Sequence, residues 1–477
     1  MSKKDISDSY KNLFKHGIIG EWFLRESQKP FFNLVRNNQQ SVIMTRRRYG
    51  KSSTVLVEFS EIAQVEKVEM RAGGVTRATI KQILSNCLDH IYQYCPEYAP
   101  RYYHQDGCFV YPATDSKIYI FGMSNSDEAN KARGNECDYV YCDEYGYWKF
   151  NPSYTVNSVL APLLEHSRYG KLIITSTIPK DLTHDYLNRC KEARAGGYFF
   201  YHDLNDSLAC GDVDQAEYDE IAQLCGGKDS EDFKREYLLQ EIASTSDLIV
   251  PEAQDESLYV GDVQRPDFYK AYVQLDLGLK DKSVALFGYY NFNLGKLVIE
   301  REHVANYTTT QDKVSAYKNI EQDLGYQNIR RLSDNDAQQL FDMNNSFNYP
   351  ISPIVKRRKH DVMKQDRSSL AESLINQIRI GLTQGRILIS PACPILIMSL
   401  KYGIWNDNRT DFERTEALGH WDAGMSLCYM YDNVDWKTNP YPVLPAGVTD
   451  KTHFVAPGLD SKQEAQIKLA KILGKKY

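Results

Sequence analysis

An α/β chain of two successive domains is what this sequence predicts, the first on a parallel sheet and the second on a mixed sheet. From Phe31 to about Pro179, short apolar runs alternate with segments of helical spacing, the pattern of a parallel sheet covered on both faces. From about Tyr269, three strand-like runs follow in close succession, the pattern of an antiparallel meander. Between the two, residues 181–260 are polar and mostly helical in pattern, which reads as a lid or connector.

Ser41–Met44 reads as a buried strand, and Val55, Leu56, Phe59, Ile62 and Ala63 recur at helical spacing behind it. Asp138–Cys142 is a second strand and Leu172–Thr175 a third, ended by polar residues and Pro179. In the connector, Asp229–Tyr237 is the clearest helix. Ala271–Leu275, Val284–Tyr290 and Lys296–Glu300 form the meander, the last two joined by the turn-rich Asn291–Gly295. Leu370, Leu374, Ile378 and Leu382 mark one face of a later helix, and Arg386–Ser390 reads as a strand. From Pro440 the chain is rich in Pro and Gly and ends in a basic helix, Lys462–Lys476. The expected domains are 1–180, 181–260, 261–440 and a tail, 441–477.

The 477 residues suffice for two or three cores, and 42% hydrophobic with 25% charged content is ordinary for a soluble globular protein. The first residues carry no apolar signal region and no run of 18 apolar residues occurs, so neither secretion nor a membrane span is expected. Ten scattered cysteines without a CxxC pair suit reduced thiols, not a disulfide framework or a zinc site. A net charge of −6 argues against indiscriminate nucleic-acid binding but leaves room for a local basic patch such as Lys356-Arg-Arg-Lys-His360.

Two short segments carry the first chemistry. In Thr45-Arg-Arg-Arg-Tyr-Gly-Lys-Ser52, Gly50, Lys51 and Ser52 supply what a phosphate loop needs: aimed backbone N–H groups, a bridging lysine and a hydroxyl for magnesium. Ser53 extends that set. Thr45 stands where the usual pattern has a glycine, so alone the tripeptide could be a surface turn. Tyr139-Val-Tyr-Cys-Asp-Glu144 is a buried strand ending in two carboxylates, Asp143 to hold magnesium through water and Glu144 to polarise the attacking water. In this order, each after an apolar strand, the two motifs read as an ATPase core of RecA-like type.

Arg47-Arg-Tyr-Gly-Lys-Ser52 resembles the deviant loop of the viral large terminases, the motors that pump DNA into phage heads. That family places an arginine three residues before the glycine, which matches Arg47, and an adenine-contacting glutamine upstream, which Gln28 matches more weakly. Arg133-Gly134 also resembles the family, as does Ile174-Thr-Ser-Thr-Ile-Pro179, whose Thr175, Ser176 and Thr177 would couple hydrolysis to movement.

The resemblance implies an RNase H-like nuclease after the motor, in which carboxylates converge on two magnesium or manganese ions. Asp276 in Val273-Gln-Leu-Asp-Leu-Gly278 interrupts an apolar strand, where a lone carboxylate is costly unless it binds something or faces solvent. Asp334 in Arg331-Leu-Ser-Asp-Asn-Asp336 follows a second strand-like segment, with Asp336 competing for the role. Asp422 in Gly419-His-Trp-Asp-Ala-Gly-Met-Ser-Leu-Cys-Tyr429 opens a late helix, as a ligand or as a cap. Asp281, Glu300 and Glu302 are expected on the hairpin surface. Lys356, Arg357, Arg358 and Lys359 would hold phosphates of a DNA strand without reading bases.

The expected function is a DNA-packaging ATPase joined to a metal-dependent endonuclease, with ATP, magnesium and two Mg2+ or Mn2+ ions as cofactors. The resemblance also implies double-stranded DNA, a portal protein and a small terminase subunit as partners. It implies a homo-oligomeric ring when active and a monomer in solution, in the host cytoplasm and away from membranes. A helicase without nuclease activity is the alternative, though the meander is a poor second motor fold. A nucleotide switch is a further one, in which Glu144 would have no task.

Overall fold

A computed structural model describes residues 11–124, 128, 132–243, 245–262, 264–277, 282–306, 308–334, 336–354, 367–406 and 408–441. The Lys356–Lys359 patch, Asp281 and the expected C-terminal helix lie outside the described residues. The chain divides into two compact units, Met1–Ser244 and Thr245–Tyr477. Both are α/β, as expected.

The first unit is built on eight strands: β1 (Gln40–Thr45), β2 (Glu69–Gly74), β3 (Arg101–Tyr103), β4 (Cys108–Val110), β5 (Lys117–Gly122), β6 (Tyr139–Cys142), β7 (Lys171–Ser176) and β8 (Phe199–His202). Their order is β3-β4-β5-β2-β6-β7-β1-β8. From β5 to β8 every pairing is parallel, and the β3–β4 hairpin adds an antiparallel edge. Every residue of β6 and β7 is buried, because both sheet faces carry apolar layers. One layer holds Val55, Leu56 and Phe59 of the helix Lys51–Ala63, and the other holds Val156, Leu160 and Tyr186.

The expected connector over 181–260 is corrected in two respects. It contains β8, which pairs with β1 and completes the first sheet, and residues from Thr245 onward belong to the second unit. Phe199 and Phe200 are only partly buried and Tyr201 is exposed at this sheet edge, so the run lacks the signature of an interior strand. The helix expected over Asp229–Tyr237 spans Glu231–Glu236, capped by Ser230 Oγ accepting from the Phe233 N–H.

The second unit holds a six-stranded sheet: β9 (Lys270–Asp276), β10 (Ser283–Asn291), β11 (Lys296–Ala305), β12 (Ile329–Ser333), β13 (Ser352–Pro353) and β14 (Ile387–Ile389). The order is β13-β12-β9-β10-β11-β14. β9, β10 and β11 form the expected meander, while β12 pairs parallel to β9 and β14 parallel to β11, so the sheet is mixed. Tyr272, Val284 and Leu286 face a core shared with the helices Arg367–Thr383, Pro394–Tyr402 and Asp422–Asn433. Ala271, Val273 and Leu275 face the opposite core with Val314 and Tyr317.

Candidate functional sites

In the first unit the chemistry collects at one end of the sheet. β6, β7 and β1 are adjacent and parallel, and Met44 pairs with Ser176 while Ile174 pairs with Cys142. The three segments leaving these strands, 45–52, 143–147 and 175–179, therefore emerge side by side at the carboxyl ends, where parallel sheets bind ligands.

The loop after β1 closes on Gly50, whose φ of 100° lies in the left-handed region as it caps the helix Lys51–Ala63. A Cβ there would stand 2.5 Å from Gln28 Nε2, so the position needs glycine for conformation and for space. Gln28 is buried and donates to the Tyr49 carbonyl at 3.0 Å, and Arg25 Nη2 donates to the same oxygen at 2.6 Å. The Gln28 amide, expected to contact adenine, here braces the backbone of the loop.

Lys51 is buried, with Nζ 3.2 Å from Glu144 Oε1. Ser52 Oγ donates to Asp143 Oδ1 at 3.0 Å, Thr175 Oγ1 to the same oxygen at 3.3 Å, and the Tyr141 hydroxyl donates to it as well. Burial first, then the Glu144 charge, pushes the Asp143 carboxyl up to about 6; Tyr141, Lys51 and Ser52 pull it back. Glu144 has φ 47°, a left-handed conformation that costs a non-glycine residue energy and marks functional turns. Its Oε2 accepts from Ser176 Oγ at 3.4 Å.

Other expected residues fall less centrally. Ser53 Oγ donates to Cys87 Sγ at 3.3 Å, so only its backbone N–H serves the loop. The Arg47 side chain is exposed, while Arg46 is buried with Nε donating to Ser207 Oγ at 2.7 Å. Arg133 donates to the Tyr154 hydroxyl at 2.9 Å. Thr177 Oγ1 donates to Glu236 Oε2 at 3.4 Å. Tyr141, Tyr147 and Glu236 were missed by the sequence reading. Tyr141 had a signal, since it lies two residues before Asp143 on the same strand face.

The site fits a magnesium-bound triphosphate on its own terms. It offers a buried ammonium, a helix N-terminus, a hydroxyl against a desolvated carboxylate, and a Thr45 Oγ1 that is buried without a hydrogen-bond partner. Nearby, His202, Cys210 and Asp212 bring ligand atoms within 4.8 Å of one another. Asp212 already accepts from Ser27 and faces Arg25, and His202 meets Ser207, so this cluster reads as support for the loop.

In the second unit the parallel β9–β12 register pairs Ser333 with Leu275, and the Asp334 N–H donates to the Leu275 carbonyl at 3.2 Å. The next step places Asp334 beside Asp276 at the strand ends. The pleat puts Asp276 on the same face as Gln274 and Tyr272, the face covered by the helix Asp422–Asn433. On that helix Asp422, Ser426 and Tyr429 share one side by their spacing. Burial, then the Asp334 and Asp276 carboxylates, pushes the Tyr429 phenol up, so its ring lies within electrostatic reach of both.

Trp421, with φ 58°, is the N-cap, and Asp422 is the first helical residue, its Oδ2 accepting from the His420 N–H at 3.3 Å. Gly419, with φ 66°, sits so close that a Cβ would collide with Asp422 Oδ2. Asp336 caps the helix Ala337–Phe341, accepting from the Gln339 N–H at 3.0 Å, which holds its carboxyl below the usual range. Glu300 and Glu302 are corrected from surface positions to structural ones. Glu300 pairs with Arg265 at 2.8 Å, and Glu302 accepts from the Ile395 and Leu396 N–H groups.

The donors fit hard divalent cations: the carboxylates of Asp276, Asp334 and Asp422 are joined by Gln274 Oε1 and Ser426 Oγ, both buried without a hydrogen-bond partner. Among the described residues no helix is long and apolar enough to cross a membrane.

Compared with solved structures, the chain is similar to the large terminase from a thermophilic bacteriophage, at 14% identity over 84% of this chain and 98% of that one, with a TM-score of 0.40. It is similar to the HK97 bacteriophage large terminase at 12% identity over 85% and 94%, with a TM-score of 0.49. The large terminase nuclease from thermophilic phage G20c with bound magnesium matches 39% of this chain and 97% of its own, at 17% identity and a TM-score of 0.28. No family model and no curated protein matches. None of these likenesses carries a residue role over to this chain.

Proposed function

We propose that this chain is a viral DNA-packaging motor of the large-terminase type, an ATPase that translocates double-stranded DNA into a procapsid and an endonuclease that cuts concatemeric DNA. The observation that carries the reading is the meeting of Lys51, Ser52, Asp143, Glu144 and Thr175–Thr177 at the ends of three adjacent parallel strands.

The N–H groups at Gly50–Ser53 and the Lys51 ammonium bind the β- and γ-phosphates, Arg47 reaches the γ-phosphate, and Gln28 lies on the adenine side. Ser52 and Asp143 would hold magnesium, which supplies charge neutralisation when bound. Glu144 orients and polarises the attacking water. Thr175, Ser176 and Thr177 lie between the two motifs and pass the change onward. In the second unit Asp276, Asp334 and Asp422 would hold two Mg2+ or Mn2+ ions, whose contribution is to stabilise the attacking and leaving oxygens of phosphodiester hydrolysis. Asp334 is preferred to Asp336 because Asp336 serves as a helix cap. Lys356, Arg357, Arg358 and Lys359 neutralise DNA phosphates. A portal, a small subunit and a ring of copies in the host cytoplasm are the partners and setting that accompany this reading.

The test is cleavage of supercoiled plasmid by the full chain with manganese, alongside ATP turnover. Asp276→Ala, Asp334→Ala and Asp422→Ala each lose cutting and keep ATP turnover, while Glu144→Ala loses turnover and keeps nucleotide binding. Normal cutting by any of the three aspartate variants removes that residue from the site, and normal turnover by Glu144→Ala refutes its role.

A further inference from the structure

Within the first unit, four segments distant in sequence meet at one residue, Glu236. Glu236 ends the helix Glu231–Glu236, and its side chain is 16% exposed. Its Oε1 accepts from the Tyr147 hydroxyl at 2.6 Å, its Oε2 from Thr177 Oγ1 at 3.4 Å, and the two donors stand 3.2 Å apart. Its backbone carbonyl accepts from the Arg47 N–H at 3.0 Å, inside the phosphate loop. The Arg235 guanidinium, itself buried, lies 3.7 Å from Oε1 and balances the charge.

Each partner is tied to the chemistry. The Tyr147 N–H donates to the Glu144 carbonyl at 2.9 Å, in the short 3-10 turn that follows the strained Glu144. Thr177 is the residue after β7. On the far side, the Leu204 N–H donates to the Tyr237 carbonyl at 2.9 Å, joining the Glu231–Glu236 helix to the helix Leu204–Ala209. Hydrogen bonds to an ionised acceptor in a poorly solvated setting are the strong ones, so this node holds its segments in register.

We propose that Glu236 is a positioning residue that latches the phosphate loop to the Glu144 turn and to the Thr175–Thr177 segment, relaying nucleotide occupancy to the helical segments 204–236. The inference rests on the ATPase reading above. Glu236 touches neither the nucleotide nor the attacking water; it sets the angle between the parts that do.

The experiment compares wild type, Glu236→Ala, Glu236→Gln, Tyr147→Phe and the Glu236→Ala/Tyr147→Phe double variant in the full chain. ATP turnover is read against ATP concentration, and binding of a slowly hydrolysed ATP analogue is read separately. Loss of a hydrogen bond to a charged group corresponds to about tenfold to a hundredfold in rate. Glu236→Ala and Tyr147→Phe therefore lose about that much kcat with KM and analogue affinity unchanged, and the double variant falls no further, because one link has been cut twice. Glu236→Gln, which keeps an acceptor oxygen on the same stem, recovers part of the loss. Wild-type kcat in Glu236→Ala, fully additive losses, or loss of analogue binding with turnover each overturn the latch. A wild-type chain that turns over no ATP overturns the ATPase reading and the latch with it, an outcome distinct from an active wild type with unaffected variants.

Discussion

Removing the Tyr141 hydroxyl tests the electrostatics of the proposed nucleotide site most directly. The phenol is buried and donates to Asp143 Oδ1, and it is among the groups that offset the burial of that carboxylate. Asp143 titrates at about 6 with the hydroxyl in place. A hydrogen bond to a charged group contributes about 1.5–3 kcal/mol, and a pKa unit is about 1.4 kcal/mol, so Tyr141→Phe raises the Asp143 value by roughly 1–2 units. Magnesium needs the ionised carboxylate, so its binding competes with the proton. Magnesium-dependent nucleotide affinity is full above the free-protein pKa and falls as pH drops through it. In wild type the fall is centred near 6. In Tyr141→Phe it moves to roughly 7–8, and affinity at pH 7 falls by about twofold to tenfold. Calorimetric titration of ADP with and without magnesium from pH 5 to 9 reads the shift. Identical pH profiles for the two proteins refute the reasoning, as does a shift that also appears without magnesium.

Two further predictions concern other parts of the molecule. Glu58 is fully buried, with Oε2 lacking a hydrogen-bond partner, and burial raises its carboxyl from 4.5 to about 7 against the pull of Lys171 and Arg36. The folded value exceeds the unfolded one, so the fold favours the neutral acid and stability is lost as pH rises from about 4.5 to about 7. Glu58→Gln therefore stabilises the first unit at pH 8 by up to about 3 kcal/mol, with the gain vanishing near pH 4.5; thermal unfolding across pH checks this, and a pH-independent difference counts against it. Gly419→Ala forces a Cβ against Asp422 Oδ2 at a left-handed position, costing about 1 kcal/mol or more of stability. Manganese-dependent cutting falls while ATP turnover stays at the wild-type rate, and unchanged cutting removes Asp422 from the site.

The segments 45–52 and 139–144 were legible as strand-to-loop units because each packs its polar residues together behind an apolar strand. The second sheet was legible as a meander, since β9, β10 and β11 are local in sequence. A mixed sheet was expected, but the register of its parallel strands was not legible, because pairing of β12 with β9 is a long-range event that leaves no periodic trace. β8 escaped for the reason seen at its edge position: half-exposed aromatic residues give no clean alternation. Asp334 and Asp336 were equivalent in sequence, and only the Gln339 N–H contact marks Asp336 as the cap and leaves Asp334 at the strand end. Glu236 was illegible altogether, since its partners at 47, 147 and 177 are brought to it only by the folded sheet.

The β9–β12 ladder has a practical consequence for anyone altering this chain. Because the two aspartates are aligned by strand register, the exposed turns between them, such as the one joining β10 to β11, can be lengthened without separating the pair. A single residue inserted within either strand would turn one carboxylate to the opposite side of the sheet. Tolerance to grafting and intolerance to slippage thus sit a few residues apart in the same domain.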